Sequence, residues 1–91
     1  MNPDNVIKWV RRFAAHYPGY LPALIESAEK KDFQEITKIT YKIKSASALL
    51  GIFDLMDLAD KIYQKAHVKA DIDYRALITE IKQAFAFLKT I

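Results

Sequence analysis

Residues 32–51 read DFQEITKITYKIKSASALLG, and this stretch decides the fold. Rotated at 100° per residue, Phe33, Ile36, Ile39, Ile43, Ala46 and Leu50 fall in one broad stripe, the pattern of a helix with a single buried face. Asp32 is a good N-cap with Glu35 three residues on. Gly51 suits the left-handed position that closes such a helix. The spacing therefore predicts a helix from just after Asp32 to about Leu50.

The same period recurs on both sides of it. A first helix is expected from about Pro3 to His16, with Asn2 as N-cap, Pro3 at the first helical position and Val6, Val10, Phe13 and Ala14 inward. Trp9 lies beside that stripe. Tyr17-Pro18-Gly19 is expected to break the helix. A second follows from about Leu21 to Lys31, with Leu21, Leu24, Ile25 and Ala28 on one face and Pro22 tolerable in its first turn. A fourth is expected over roughly Asp54 to Ala66, with Leu55, Leu58, Ala59 and Ile62 inward. A fifth follows Asp71 or Asp73 and carries Leu77, Ile78, Ile81, Phe85 and Leu88.

Two glycines and three prolines in 91 residues are too few for an all-β domain, which needs a turn every 8–12 residues. The reading is an all-α, single domain over residues 1–91. Short connections favour an antiparallel up-down-up-down four-helix bundle with a short extra helix at the start.

Composition narrows the function. The chain is 52% apolar and 27% charged, which supports a packed core. There is no cysteine, so disulfides, thiolate metal sites and Cys nucleophiles are excluded. No apolar run reaches the roughly 18 residues of a membrane span. The opening Met-Asn-Pro-Asp lacks a signal-peptide pattern. No membrane insertion is expected, and a cytoplasmic location is. A net charge of +3 is short of that of a nucleic-acid-binding tail, and no recognition motif accompanies it, so no nucleic-acid partner is expected. His16 and His67 fall at the ends of the first and fourth helices, where a partly cationic ring is favourable. They adjoin no ligand motif, so neither a metal site nor a cofactor is expected.

The face of the third helix opposite the core is unusual. Tyr41 lies roughly 160° from the middle of the apolar stripe, aimed at solvent. Around it fall Thr37, Lys44, Ser45 and Ala48, with Lys38 and Lys42 flanking. One ring, a few cations and small side chains let another surface approach closely, so this set is the candidate partner-binding site.

These residues carry a family resemblance. Tyr41-Lys42-Ile43-Lys44-Ser45-Ala46-Ser47-Ala48-Leu49-Leu50-Gly51 resembles the signature of histidine-containing phosphotransfer (HPt) domains. That signature reads His-x-Leu-Lys-Gly, then small residues, then Leu-Gly ten positions after the His. Ile43 stands for the Leu, Lys44 for the Lys, and Leu50-Gly51 for the close. Phe13, Tyr20 and Leu24 are similar in place to the family's opening helices, and Lys31-Asp32-Phe33 to the entry of its histidine helix. The resemblance implies a four-helix bundle that docks response-regulator receiver domains or a hybrid histidine kinase, with Lys44 supporting phosphoryl oxygens.

Two positions depart from the pattern: Tyr41 replaces the phospho-accepting His, and Ser45 the Gly beside it. An imidazole is an available nucleophile at neutral pH, and a phenol with a pKa of about 10 is not. A phosphotyrosine ester is also too stable to return its phosphoryl group. No catalytic residue is therefore expected: the reading is a non-enzymatic, monomeric pseudo-HPt regulator or scaffold in a two-component phosphorelay. Two alternatives stay open: an active phosphotransfer domain, of its own or of a larger hybrid kinase, carrying a His→Tyr change at position 41, or a helical interaction domain unrelated to the pathway. A Tyr41 face flanked by Ala48 is also compatible with self-association.

Overall fold

The computed structural model describes residues 3–88, and among them all regular structure is helical, with no strand. Five α-helices follow in order: α1 Pro3–His16, α2 Leu21–Glu29, α3 Phe33–Leu50, α4 Phe53–His67 and α5 Arg75–Leu88, with a 3-10 turn at Tyr17–Tyr20 between the first two. They close around one apolar core in a body 42 × 19 × 16 Å. The most extensive interface joins α3 to α4.

The expected stripes mostly face that core. Leu24, Ile36, Ile43, Leu55, Ala59, Ile62 and Ile81 are wholly buried, and Phe85 nearly so. Ala28, Phe33, Ala46, Leu50, Leu58 and Leu77 are half-buried against them. Ile25 departs from its stripe and is exposed, because α2 has only nine residues and leaves an open groove against α5. The buried serine and threonine hydroxyls are accommodated within their own helices. Ser27, Thr40 and Ser47 each donate to the carbonyl four residues back, at 2.7, 2.7 and 2.6 Å. Ser47 is thus a packing residue.

The helix ends follow local chemistry. Asp32 caps α3 by accepting from the Glu35 N–H at 3.2 Å. The Asp32 N–H itself goes back to the Ser27 carbonyl at 2.9 Å. Gly51 ends α3 at φ 75°. Ahead of α5, Asp73 rather than Asp71 accepts from the Arg75 N–H, at 3.0 Å. Asn2, expected to cap α1, lies outside the described residues, as does the side chain of Val6.

α1 ends at His16, where the break at Tyr17-Pro18-Gly19 is expected, and the chain continues as the 3-10 turn, in which Pro18 stands in the first turn and its missing N–H costs nothing. Two residues short of expectation, α2 ends where Lys31 takes a left-handed conformation at φ 55°. The first helix is not short: α1 has 14 residues, as many as α5.

Candidate functional site: the Tyr41 face of α3

Tyr41 stands midway along α3, the longest helix, with 56% of its surface exposed. It is not isolated. The Tyr63 ring of α4 lies 6.0 Å away, tilted by 46°, and His67 stacks on Tyr63 at 5.8 Å and 15°. The result is an aromatic row along the α3–α4 seam. His67 is the last residue of α4, so its ring serves this row as well as the helix end.

Lys44, one turn on from Tyr41, is held. Its Nζ lies 2.9 Å from Asp60 Oδ1 and 5.2 Å from the Tyr63 ring centre, and its side chain is one-third exposed. The hydrogen bond to Asp60 raises the Lys44 pKa above its ordinary value. The same bond, with help from Gln64, holds the Asp60 carboxyl below the usual range. At neutral pH both are charged, and the cation beside Tyr41 carries its own counter-ion.

The remaining expected residues divide between the two flanks of α3. Thr37 is half-buried, and its hydroxyl donates to the Gln34 carbonyl at 2.7 Å. Lys38, Ser45 and Ala48 are exposed beside Tyr41 and keep the surface low. Lys42 turns to the other flank, where its Nζ lies 5.4 Å from the Tyr20 ring. The three lysines therefore do not form one rim: Lys44 lies towards α4, Lys42 towards the 3-10 turn, and Lys38 between. Leu49, 86% exposed in the last turn of α3, projects further into solvent than Tyr41.

Asp60 and Tyr63 are the site residues that sequence reasoning missed. With His67 they recur at helical spacing on one face of α4, which the inward stripe left unexamined. Among the described residues no group of three or more metal-ligating side chains gathers, and no helix is long and apolar enough to cross a membrane. No protein-family model, curated protein or solved structure matches the chain.

Proposed function

We propose that this chain is an HPt-like docking module without its phosphate carrier: a pseudo-HPt regulator or scaffold that occupies receiver domains in a cytoplasmic phosphorelay and transfers nothing. The observation that carries the reading is Tyr41, exposed at the middle of the longest helix, with Lys44 one turn on and small side chains around it. A phenol at that place presents a ring and a hydroxyl to a partner but not a nucleophile at neutral pH. Asp60 supports the same conclusion. A phosphoryl group arriving beside Tyr41 would compete with a carboxylate already bound to Lys44 at 2.9 Å.

The arrangement proposed is an antiparallel bundle of α2 to α5 with α1 added at the start. Pairing along the α3–α4 seam supports it: Tyr41 meets Tyr63, and Lys44, three residues later, meets Asp60, three residues earlier. Docking then uses Tyr41, Lys38, Ser45 and Ala48, with Lys42 and Thr37 at the margins.

The test is incubation with candidate receiver domains, free and phosphorylated, reading binding and label transfer separately. Binding without label uptake is expected, and loss of binding in Tyr41→Ala. Tyr41→His alone, then with Ser45→Gly, tests for an acid-labile phosphoryl group on the restored imidazole. Label transfer to the unaltered chain would overturn the reading, and so would failure to bind every receiver of the same organism.

A further inference from the structure

A second surface lies at one end of the fold. Where α1 crosses the last turns of α3 there is a groove of about 300 Å³, with Trp9, Arg12, Tyr17, Ala46, Leu49 and Leu50 among its walls. Its walls are mostly apolar, and two of them are open to solvent: Trp9 is 49% exposed and Leu49 86%. An apolar cavity of roughly 150 Å³ already accepts a benzene ring, so this groove is roomy enough for one aromatic side chain. One wall is cationic: the Arg12 guanidinium lies 5.2 Å from the centre of the Trp9 ring. Among the described residues no acidic side chain lines the groove.

The chain also carries the complement of that groove. Phe53, four residues beyond Leu49 across the Gly51 turn, begins α4 with 62% of its surface exposed. Asp54 and Asp57 are exposed beside it. An apolar groove with an arginine in its wall and an acid-flanked phenyl ring thus adjoin each other at one end of the molecule. A two-fold axis through that end makes each contact twice, which closes the assembly at two copies.

We propose that this chain forms a weak two-fold homodimer through that end, with Phe53 of each copy seated in the Trp9–Leu49 groove of the other and Asp54 and Asp57 facing Arg12. Association is independent of any partner on Tyr41. The contact is small, so it belongs with the weak class of interfaces and forms at high protein concentration. The chain is a monomer when dilute.

Sedimentation equilibrium on the full chain, from about 10 µM to about 1 mM at low salt, reads it directly. The mass should climb from 10.5 kDa towards twice that value. Phe53→Ser and Leu49→Ser, both at exposed positions, should each weaken association at least about tenfold, with circular dichroism confirming an unchanged fold. Two charge-reversed chains make the decisive mixture. Arg12→Glu alone should stay monomeric, as should Asp54→Arg/Asp57→Arg alone. Mixed, they should pair, because both halves of the two-fold contact again join opposite charges. A mass that stays at 10.5 kDa at the highest concentration overturns the proposal. So does a dimer indifferent to Phe53→Ser, or a charge-reversed mixture that fails to associate.

Discussion

Three helices of this chain end in the same hydrogen-bonded turn, and only one of them uses glycine. After α3, Gly51 N–H donates to Ala48 at 3.2 Å and Ile52 N–H to Ser47 at 2.8 Å. After α4, Lys69 N–H donates to Ala66 at 3.0 Å and Ala70 N–H to Lys65 at 2.8 Å; after α2, Lys31 and Asp32 repeat the pattern on Ala28 and Ser27. The turning residue is left-handed each time, at φ 75°, 56° and 55°. That conformation costs a residue with a Cβ about 1–2 kcal/mol. Glycine avoids the cost but loses about 0.5–1 kcal/mol more in backbone entropy on folding. The balance predicts that Lys69→Gly stabilises the fold by about 0.5–1 kcal/mol and that Gly51→Ala destabilises it by a similar amount. Nothing lies within 4 Å of a Cβ added at Gly51, so that loss is conformational and not steric. In a domain of this size about 1 kcal/mol moves Tm by roughly 4–8 °C, and urea unfolding of the two single variants measures the difference. The double variant should return close to the parent, since the sites are on separate turns. A Lys69→Gly chain less stable than the parent, or a Gly51→Ala chain unchanged, refutes the reasoning.

Three other substitutions have defined outcomes. Tyr74 is buried, and its hydroxyl donates to the Ala70 carbonyl at 2.7 Å, so Tyr74→Phe should cost about 1 kcal/mol in urea unfolding. Burial, then the nearby Asp71, pushes the Tyr74 pKa above its ordinary value. Its contribution to stability is therefore complete below about pH 10 and lost as pH rises through the folded value, and Tyr74→Phe should flatten that alkaline limb of Tm. Asp60 and Asp73 behave in the opposite sense. Hydrogen bonds from Lys44 and Arg75 hold them below the ordinary carboxylate range, so their contribution is present above about pH 4 and lost as pH falls through the folded values. An acid titration of Asp60→Asn beside the parent should show a shallower loss. Phe85, packed 5.3 Å from Phe13 and almost wholly buried, should cost about 3–5 kcal/mol as Phe85→Ala. That is a large part of the roughly 5–14 kcal/mol available to a chain of this length, so a collapsed urea midpoint is expected.

Periodicity carried the helices because each buries one face, and a buried face writes itself into the chain at fixed spacing. Asp32 and Gly51 were legible for the same kind of reason: a cap and a left-handed turn each demand a particular side-chain chemistry. Where two chemistries compete, legibility fails. Pro18-Gly19 reads as a breaker and does follow the end of α1, but the 3-10 turn that accepts both is not legible, and Lys31 and Lys69 take a backbone conformation that no lysine advertises. Tyr74 was invisible because one buried ring ahead of a helix has no period. The candidate site shows the same division. Tyr41 could be placed on the outer face from α3 alone. Asp60, Tyr63 and Tyr20 come from other elements, and only the packing of those elements reveals which lysine each one engages.

That engagement decides how the positive charge around Tyr41 should be understood. Counted along the sequence, Lys38, Lys42 and Lys44 form a basic border suited to drawing in an acidic surface. In the fold, Lys44 meets Asp60 and Lys42 meets the Tyr20 ring, which leaves Lys38 as the lysine standing next to Tyr41 without either restraint. Electrostatic steering acts chiefly on encounter rate and is screened by salt, so the docking proposed for this face should depend on Lys38 for speed and on the Tyr41 ring for residence. Lys38→Glu should slow association with a receiver and flatten or reverse its salt dependence, because attraction to an acidic surface is replaced by repulsion that salt screens. Tyr41→Ala should leave the association rate near that of the parent and raise the dissociation rate. Stopped-flow binding at two ionic strengths separates the two effects. A Lys38→Glu chain that associates as fast as the parent at low salt would show that charge plays no part in the approach, and would leave the exposed ring and its small neighbours as the whole of the recognition.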